Sequence, residues 1–159
     1  MSGPRQDPER LLGEEALGDA ISRLTAVVNP RTTVDGWATV ELDRAQEEVG
    51  AGWAYAGPAT VSEVPDDRVL GARCRVLHFV DGQEVVLLEP SIEGRLAAAL
   101  ARHGEGMVAR FLLADSGATE RARRAGFTVS SEGRGPFGPE RLVVDGPRSG
   151  PFLLIAGLD

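Results

Sequence analysis

The chain contains no lysine, since all 17 of its basic residues are arginine. This absence excludes a Schiff-base lysine and a P-loop lysine, because both mechanisms need a primary amine on the side chain. Cys74 is the single cysteine, so neither an intrachain disulfide nor a cysteine-based zinc site is available. With only two histidines, His78 and His103, a centre that needs three histidines is excluded as well.

Long apolar runs and net positive charge are also missing. No apolar stretch approaches the roughly 18 residues of a membrane-spanning helix, and the polar residues 1–10 do not have the pattern of a signal peptide. The net charge of −7 disfavours binding to nucleic acid or to an anionic membrane surface. We therefore predict a cytoplasmic protein, whose 159 residues are enough to bury one hydrophobic core.

Hydrophobic periodicity divides the sequence into helices and strands. Apolar residues recur at three- and four-residue steps from Asp7 to Val28, which predicts an N-terminal helix that ends at Asn29-Pro30. Strands are predicted at 37–42, 60–64, 73–80, 83–89, 107–114, 127–130, 141–144 and 152–156. Three more helices are predicted at 43–49, 91–102 and 116–125, and a mobile glycine-rich loop is predicted at 132–139. After the first helix this order is β-α-β-β-β twice, joined by a helix.

The predicted architecture is an antiparallel-rich α+β fold. Residues 1–30 form a tail and an extra helix, and residues 31–159 form one domain of two similar modules, at about 31–90 and 104–159. The similarity lies in the order of elements, because residue identity between the two halves is weak.

One predicted hairpin allows its two faces to be assigned. Asp81-Gly82 between two β-prone runs favours a two-residue turn, which pairs Leu77 with Val86. The first face then holds Arg75, Leu77, Phe79, Val86 and Leu88, and the second, helix-covered face holds Cys74, Val76, His78, Val85 and Leu87. An error of one residue in the register would exchange the two faces.

Three short stretches resemble the vicinal oxygen chelate superfamily, which includes glyoxalases, bleomycin-resistance proteins and extradiol dioxygenases. Trp37–Ala45 is similar to the first strand and helix of that family, Val85–Pro90 to its "IELLEP" strand, and Gly104–Asp115 to the start of its second module. The resemblance covers about residues 36–158. It implies a glyoxalase-like fold of two βαβββ modules, and also a homodimer, because single-module members of the superfamily commonly pair.

In metal-dependent members of the superfamily, each module provides a His or Gln on its first strand and a Glu on its last. The matching positions here are 35–37, Val86, Val108 and a position near Leu154, and none of them carries His, Gln or Glu. Divalent cations need nitrogen or oxygen ligands. The resemblance therefore implies a metal site that has been lost, no cofactor, and metal-assisted chemistry that is in doubt.

The predicted ligand-binding residues are Trp37, Thr39, Arg75, Phe79 and Arg110. Arg110 lies two residues after Val108, so the alternation of a strand gives both the same face; it is either a cation for an anionic group on a ligand or an ordinary surface partner of an acid. Trp37 either stacks on a flat ligand or packs in the core or an interface. Trp53 and Tyr55 are either a second aromatic wall or packing anchors.

Acid/base candidates are few. His78 is the most tempting general base, but its predicted face makes a buried core histidine the favoured interpretation. Arg110, Glu84 and Glu41 are the other candidates.

Three functions fit these observations. The first is a metal-independent protein that binds a small molecule, such as a drug or secondary metabolite that it sequesters; the acidic surface would attract a cationic ligand. The second is a metal-free isomerase or cyclase acting on a natural-product intermediate. The third is an interaction protein that docks through its N-terminal helix. The sequence does not decide whether the protein is an enzyme.

Overall fold

The computed structural model describes residues 8–52, 55–145 and 151–157, with side chains from Gly18 onward. Within these ranges the helices are α1 (Pro8–Val28), α2 (Leu42–Gly50), α3 (Arg95–His103) and α4 (Ala118–Arg124). The strands are β1 (Thr32–Ala38), β2 (Thr60–Glu63), β3 (Ala72–His78), β4 (Glu84–Pro90), β5 (Gly106–Ala114), β6 (Gly133–Gly135), β7 (Gly138–Leu142) and β8 (Phe152–Gly157). The predicted α+β class and the predicted N-terminal helix are confirmed.

The eight strands form one curled sheet in the order β2-β3-β4-β1-β5-β8-β7-β6. In each half the first strand runs parallel to the last, β1 to β4 and β5 to β8, and the halves join through the antiparallel pair β1–β5. The order of strands in one half is therefore mirrored in the other. This is the architectural repeat that the order of predicted elements indicated.

The hairpin of β3 and β4 has a register one residue away from the prediction. Leu77 pairs with Val85, not with Val86, and the Phe79 N–H donates to the Gln83 carbonyl at 2.9 Å. The loop therefore has three residues, and Gly82 takes the left-handed conformation that such a loop requires, at φ 91°. Because side chains alternate along a strand, the faces predicted for β3 are exchanged, whereas those predicted for β4 hold: Val85 and Leu87 are on the side covered by α2, and Val86 and Leu88 are on the other.

Two other predicted segments are wrong. The strand predicted at 37–42 lies earlier, at Thr32–Ala38, and α2 begins at Leu42, because the β-branched residues 32–34 extend the chain directly after α1. Most of the loop predicted at 132–139 is the β6–β7 hairpin, with Gly135 paired to Gly138. Phe137 at its tip contacts Phe111 edge to face, at 5.6 Å between ring centroids, which anchors the hairpin.

The predicted strand at 127–130 is reduced to a single bridge between Val129 and Val143. Among the described residues, no helix is long and apolar enough to cross a membrane.

The apolar side chains form three clusters, one inside the curl and two outside it. The interior cluster spans β3 to β8, with Phe111 at its centre and Leu96 of α3 joined to it. On the outer face, α2 covers Leu77, Val85 and Leu87. The ends of α1 and α4 cover a second area around Leu112 and Ile155. The curl therefore has a packed inside and an outside that is covered by helices on both flanks.

Candidate functional site

The positions that the resemblance assigned to metal ligands lie in the packed interior. Val86 and Leu154 are completely buried there, and Val108 is 6% exposed. The described residues contain no cluster of three or more His, Cys, Asp or Glu side chains that could hold a metal ion. Loss of the metal ligands stays a prediction, tested below by metal titration.

Space inside the curl is taken up by the protein's own side chains. Gly36 illustrates this: a Cβ there would lie 2.9 Å from the Ala109 Cβ and 3.2 Å from the Phe111 ring. Phe111, Leu88 and Leu154 are each completely buried in the same cluster. The interior is therefore a core, and small-molecule binding needs another surface.

Two carboxyl groups are buried at the margin of this interior. Asp67 is completely buried and Glu140 is 2% exposed. Asp67 Oδ1 accepts a hydrogen bond from the Leu70 N–H at 2.8 Å, but apart from the two carboxyl groups themselves no described donor reaches Asp67 Oδ2 or either oxygen of Glu140. Two adjacent carboxyl groups in an apolar site are stable when a proton is shared between them.

The carboxyl pair has strongly displaced acidities. Burial, followed by its contact with Asp67, raises the pKa of Glu140 to about 10. Burial also raises the pKa of Asp67, although hydrogen bonds from Glu140 and the backbone oppose this rise. Cys74 belongs to the interior cluster. Burial raises the pKa of its thiol, and the charges of Asp67 and Glu140 raise it further. At neutral pH the pair therefore retains a proton, and Cys74 remains a thiol.

The same carboxyl pair joins the two ends of the sheet. Residues 64–71 connect β2 to β3, and we call them the strap. The Arg68 N–H of the strap donates to the Arg134 carbonyl of β6 at 2.8 Å, and Asp67 meets Glu140 of β7. The strap therefore bridges from one half of the curled sheet to the other.

An open groove of about 750 Å³ lies on the outer face, and we call it the outer groove. Its lining includes residues 32–34, Asp35, Tyr55, the 81–84 turn and Arg110. Asp35 and Arg110 are directly opposite each other on β1 and β5, and their side chains form an ion pair at 3.5 Å with about a third of each side chain exposed. The groove thus contains opposite charges within reach of solvent.

Tyr55 gives the outer groove an aromatic wall. Its ring stacks on Phe79 at 5.0 Å between centroids. Burial raises the pKa of the Tyr55 hydroxyl, and Asp35 raises it further through its charge and a hydrogen bond. The hydroxyl therefore stays protonated and donates to the Asp35 carboxylate, which fixes the tyrosine in place.

The predicted ligand-binding residues do not all meet at this groove. Arg110 lines it, and Phe79 is 5% exposed behind Tyr55. Thr39 is completely buried, and its hydroxyl donates to Glu105 at 2.5 Å. Trp37 packs against the cluster under α2.

Arg75 lies on the outer face beside α2, where it contacts Asp43 at 2.6 Å and Glu63 at 2.9 Å. The face predicted for Arg75 and Phe79, shared with Val86, is wrong because of the register shift. Arg110 also lies opposite the interior, because Ala109 and Phe111 point inward; the face predicted for it, shared with Val108, is wrong because an irregularity in the β1–β5 pairing at Gly36/Trp37 puts Val108 in the interior beside Ala109.

His78 is not a core histidine. Its side chain is 38% exposed, and its Nε2 lies 2.9 Å from Ser62 Oγ while its Nδ1 lies 3.2 Å from Glu84 Oε1. The exchange of faces moved His78 away from α2. Sequence reasoning named His78 and Glu84 separately and missed Ser62, because only the alignment of β2 with β3 brings the serine to the ring.

Asp67 and Glu140 were missed for a similar reason. Both fall in segments that read as loops, and no spacing in the sequence joins positions that are 73 residues apart. The sequence does place Glu140 beside the apolar run 142–144, which indicates a strand. That pattern does not show which face of the strand carries the side chain of Glu140.

No protein-family model matches the sequence, and no curated protein matches it. Solved structures do match. The hypothetical protein BH1468 from Bacillus halodurans C-125 has a TM-score of 0.64 at 14% identity, over 81% of this chain and 96% of that one. A triple mutant of 4-hydroxymandelate synthase from Streptomyces coelicolor has a TM-score of 0.53 at 15% identity, over 79% of this chain and 48% of that one.

This chain thus spans about half the length of the synthase. At these identities the likeness concerns the fold alone. The chain has a glyoxalase-like fold.

Proposed function

We propose that this protein binds a small cationic molecule in the outer groove, without a metal ion, and so sequesters a drug or a secondary metabolite. The observation that carries the proposal is the groove itself, in which Asp35, Tyr55, Glu84 and Arg110 converge on one cavity. Its volume of about 750 Å³ is within the range of sites for small organic ligands, which is roughly 300–1,000 Å³.

The charge of the outer groove favours a cation. Asp35, Asp81 and Glu84 line it, against Arg110 as the single cationic side chain of the lining. Arg110 neutralises Asp35, which leaves two carboxylates with the net charge of −7 on the whole chain behind them. Such a field raises the local concentration of cations and repels anions.

The aromatic wall adds a second attraction. A ligand cation placed over the face of tyrosine gains about 0.5–2 kcal/mol, depending on how far the site is desolvated. Tyr55 is the aromatic side chain of the groove lining, so it would be the one to contact such a ligand. We therefore expect a ligand that combines an ammonium or amidinium group with a flat apolar body.

The test is a calorimetric titration with a panel of flat cationic compounds, matched to neutral and anionic compounds of similar size. Wild-type protein should bind one or more cations, and Asp35→Asn and Tyr55→Ala should each weaken that binding at least fivefold. Glu93→Gln is the control, because Glu93 is an exposed acid outside the groove. Binding of anions in preference to cations, or equal affinity in the groove variants and the control, would refute the proposal.

A further inference from the structure

A serine, a histidine and a glutamate lie in line on the three neighbouring strands β2, β3 and β4. Ser62 Oγ is 2.9 Å from His78 Nε2, and Glu84 Oε1 is 3.2 Å from His78 Nδ1. These are hydrogen-bonding distances, and each ring nitrogen has its own partner. The arrangement has the connectivity of a nucleophile, a base and an acid that orients the base.

The sheet holds the three residues in register. His78 pairs directly with Glu84 on β4 and with Thr60 on β2, and Ser62 is the next residue along β2 on the same face. The carboxylate of Glu84 accepts the proton of Nδ1, which leaves the lone pair of Nε2 directed at the serine hydroxyl. The tautomer that a general base needs is thus the one that this hydrogen-bond network selects.

Ser62 is also accessible to a substrate. It is exposed, and His78 and Glu84 are each more than a third exposed. β2 is the edge strand of the described sheet, and the outer edge of such a strand leaves alternate backbone N–H groups without a strand partner. Those groups are the donors available to an oxyanion that develops beside Ser62.

We propose that Ser62, His78 and Glu84 form a nucleophilic site that cleaves small carboxylic esters. The Ser62 oxygen attacks the ester carbonyl while His78 Nε2 takes the hydroxyl proton. His78 then gives this proton to the leaving alkoxide as the C–O bond of the ester breaks, which leaves an acyl group on Ser62. A water molecule, deprotonated by His78, then attacks the acyl carbonyl; the bond between the acyl carbon and Ser62 Oγ breaks, His78 returns the proton to Oγ, and the carboxylic acid leaves.

The surroundings point to the class of ester. The site is shallow and open, which suits a small acyl group. Glu63 follows Ser62 in the chain, and Glu84 contacts His78. These two carboxylates disfavour an anionic ester by charge repulsion. Glu84 also lines part of the outer groove, but neither Ser62 nor His78 does, so the two sites share only this carboxylate.

The first test uses a fluorophosphonate probe followed by peptide mass spectrometry, together with hydrolysis of p-nitrophenyl acetate by the full chain. Wild-type protein should carry the phosphonyl group on Ser62. Ser62→Ala and His78→Gln should each lose the label and reduce kcat/KM for the ester at least tenfold. Ser91→Ala and His103→Gln are matched controls at exposed positions outside the site, and both should keep the label and the rate.

Two results would overturn the proposal. One is the absence of label on Ser62 in wild-type protein. The other is an unchanged rate in Ser62→Ala, which would show that an exposed histidine alone attacks the ester. Circular dichroism spectra that match wild type establish that each variant is folded.

Glu84 is a positioning residue in this scheme, and a kinetic split tests that role. Glu84→Gln should lower kcat severalfold and leave KM within twofold, because it changes the orientation of His78 and not the contact with the ester. A change in KM alone would contradict the role. Glu93→Gln, at an exposed position outside both sites, should keep the label and the rate.

Discussion

Glu140 shows how the position of one side chain decides its chemistry. A glutamate on an exposed strand titrates near 4.5, but the interior of the curl and the neighbouring Asp67 raise its pKa to about 10. Only 2% of Glu140 is exposed to solvent. The proton that it holds is therefore part of the folded structure at neutral pH.

This bound proton predicts an unusual dependence of stability on pH. The folded chain keeps a proton that the unfolded chain releases above about pH 4.5, so folding binds protons between that value and about pH 10. The free energy of unfolding therefore falls as the pH rises through this window, by up to about 1.4 kcal/mol per pH unit for one group.

Glu140→Gln should remove this slope, because the amide is neutral at every pH and its NH₂ group donates to Asp67. Chemical denaturation at pH 6, 7.5 and 9 measures the difference, and the variant should gain stability over wild type as the pH rises. Glu48→Gln, an exposed acid in a surface ion pair, should follow the wild-type profile. Parallel profiles of wild type and Glu140→Gln would contradict the buried proton.

Gly36 is a second residue whose role depends on its surroundings. A methyl group there meets the Ala109 Cβ at 2.9 Å and the Leu88 Cδ1 at 3.0 Å, so Gly36→Ala overpacks the interior. We expect a loss of about 1–3 kcal/mol in the free energy of unfolding, measured by urea denaturation. Gly18→Ala is the control, because a Cβ at Gly18 has no neighbour within 4 Å; an equal effect of the two changes would contradict overpacking.

At the scale of elements, α1 packs on the domain and does not stand free in the part that has described side chains. Leu24 and Val28 are completely buried against α4 and β5. Arg121 of α4 also donates to the carbonyls of Val27 and Val28, each at 2.8 Å. This docking bears on the hypothesis that α1 binds another protein, because its buried face is already occupied.

Leu24→Ala should therefore cost about 2–5 kcal/mol in the free energy of unfolding, as large-to-small changes in a core do. Asp19→Ala, on the exposed side of the same helix, should change it by less than about 0.5 kcal/mol. Urea denaturation followed by circular dichroism gives both values. Equal, small effects of the two substitutions would mean that α1 does not pack stably on α4 and β5. Such a result would support the hypothesis that α1 binds another protein.

At the scale of the whole molecule, the glyoxalase-like curl is kept while its inside is packed with side chains. Val86, Val108 and Leu154 occupy the positions that the superfamily resemblance gives to ligands. What remains open to solvent is on the outer face and at the edge of the sheet. The outer groove therefore lies outside the curl, whereas Ser62, His78 and Glu84 lie at its margin, on the strand faces that carry Val76 and Val86 into the interior.

The packed interior predicts no stabilisation by divalent ions. A ligand at about 100 times its Kd adds about 2.7 kcal/mol to folding, so a resident metal would raise the melting temperature clearly. Titration of chelator-free protein with Zn²⁺, Mn²⁺ and Ni²⁺ should leave the melting temperature unchanged. A stoichiometric metal with a clear rise in melting temperature would return metal-assisted chemistry to consideration.

The sequence by itself determined the class and order of the elements, because hydrophobic period and turn residues act over a few neighbours. The helix that ends just before Asn29, the β3–β4 hairpin and the repeat of β-α-β-β-β were all predictable on that basis. Its limit was the turn at 80–82, where one extra residue reversed the faces of β3 relative to those of β4. A difference of one residue in a loop is small in local energy but decides which side chains are buried.

Only the tertiary structure decided which chemical groups meet. Ser62 reaches His78 through the pairing of β2 with β3, and Asp67 reaches Glu140 because the strap crosses between the two ends of the curled sheet. Residues so far apart in sequence leave no periodic signal, since the pattern of each strand is set by its own burial. The elements followed from local physics, whereas the candidate sites arose from contacts that exist only once the sheet has closed.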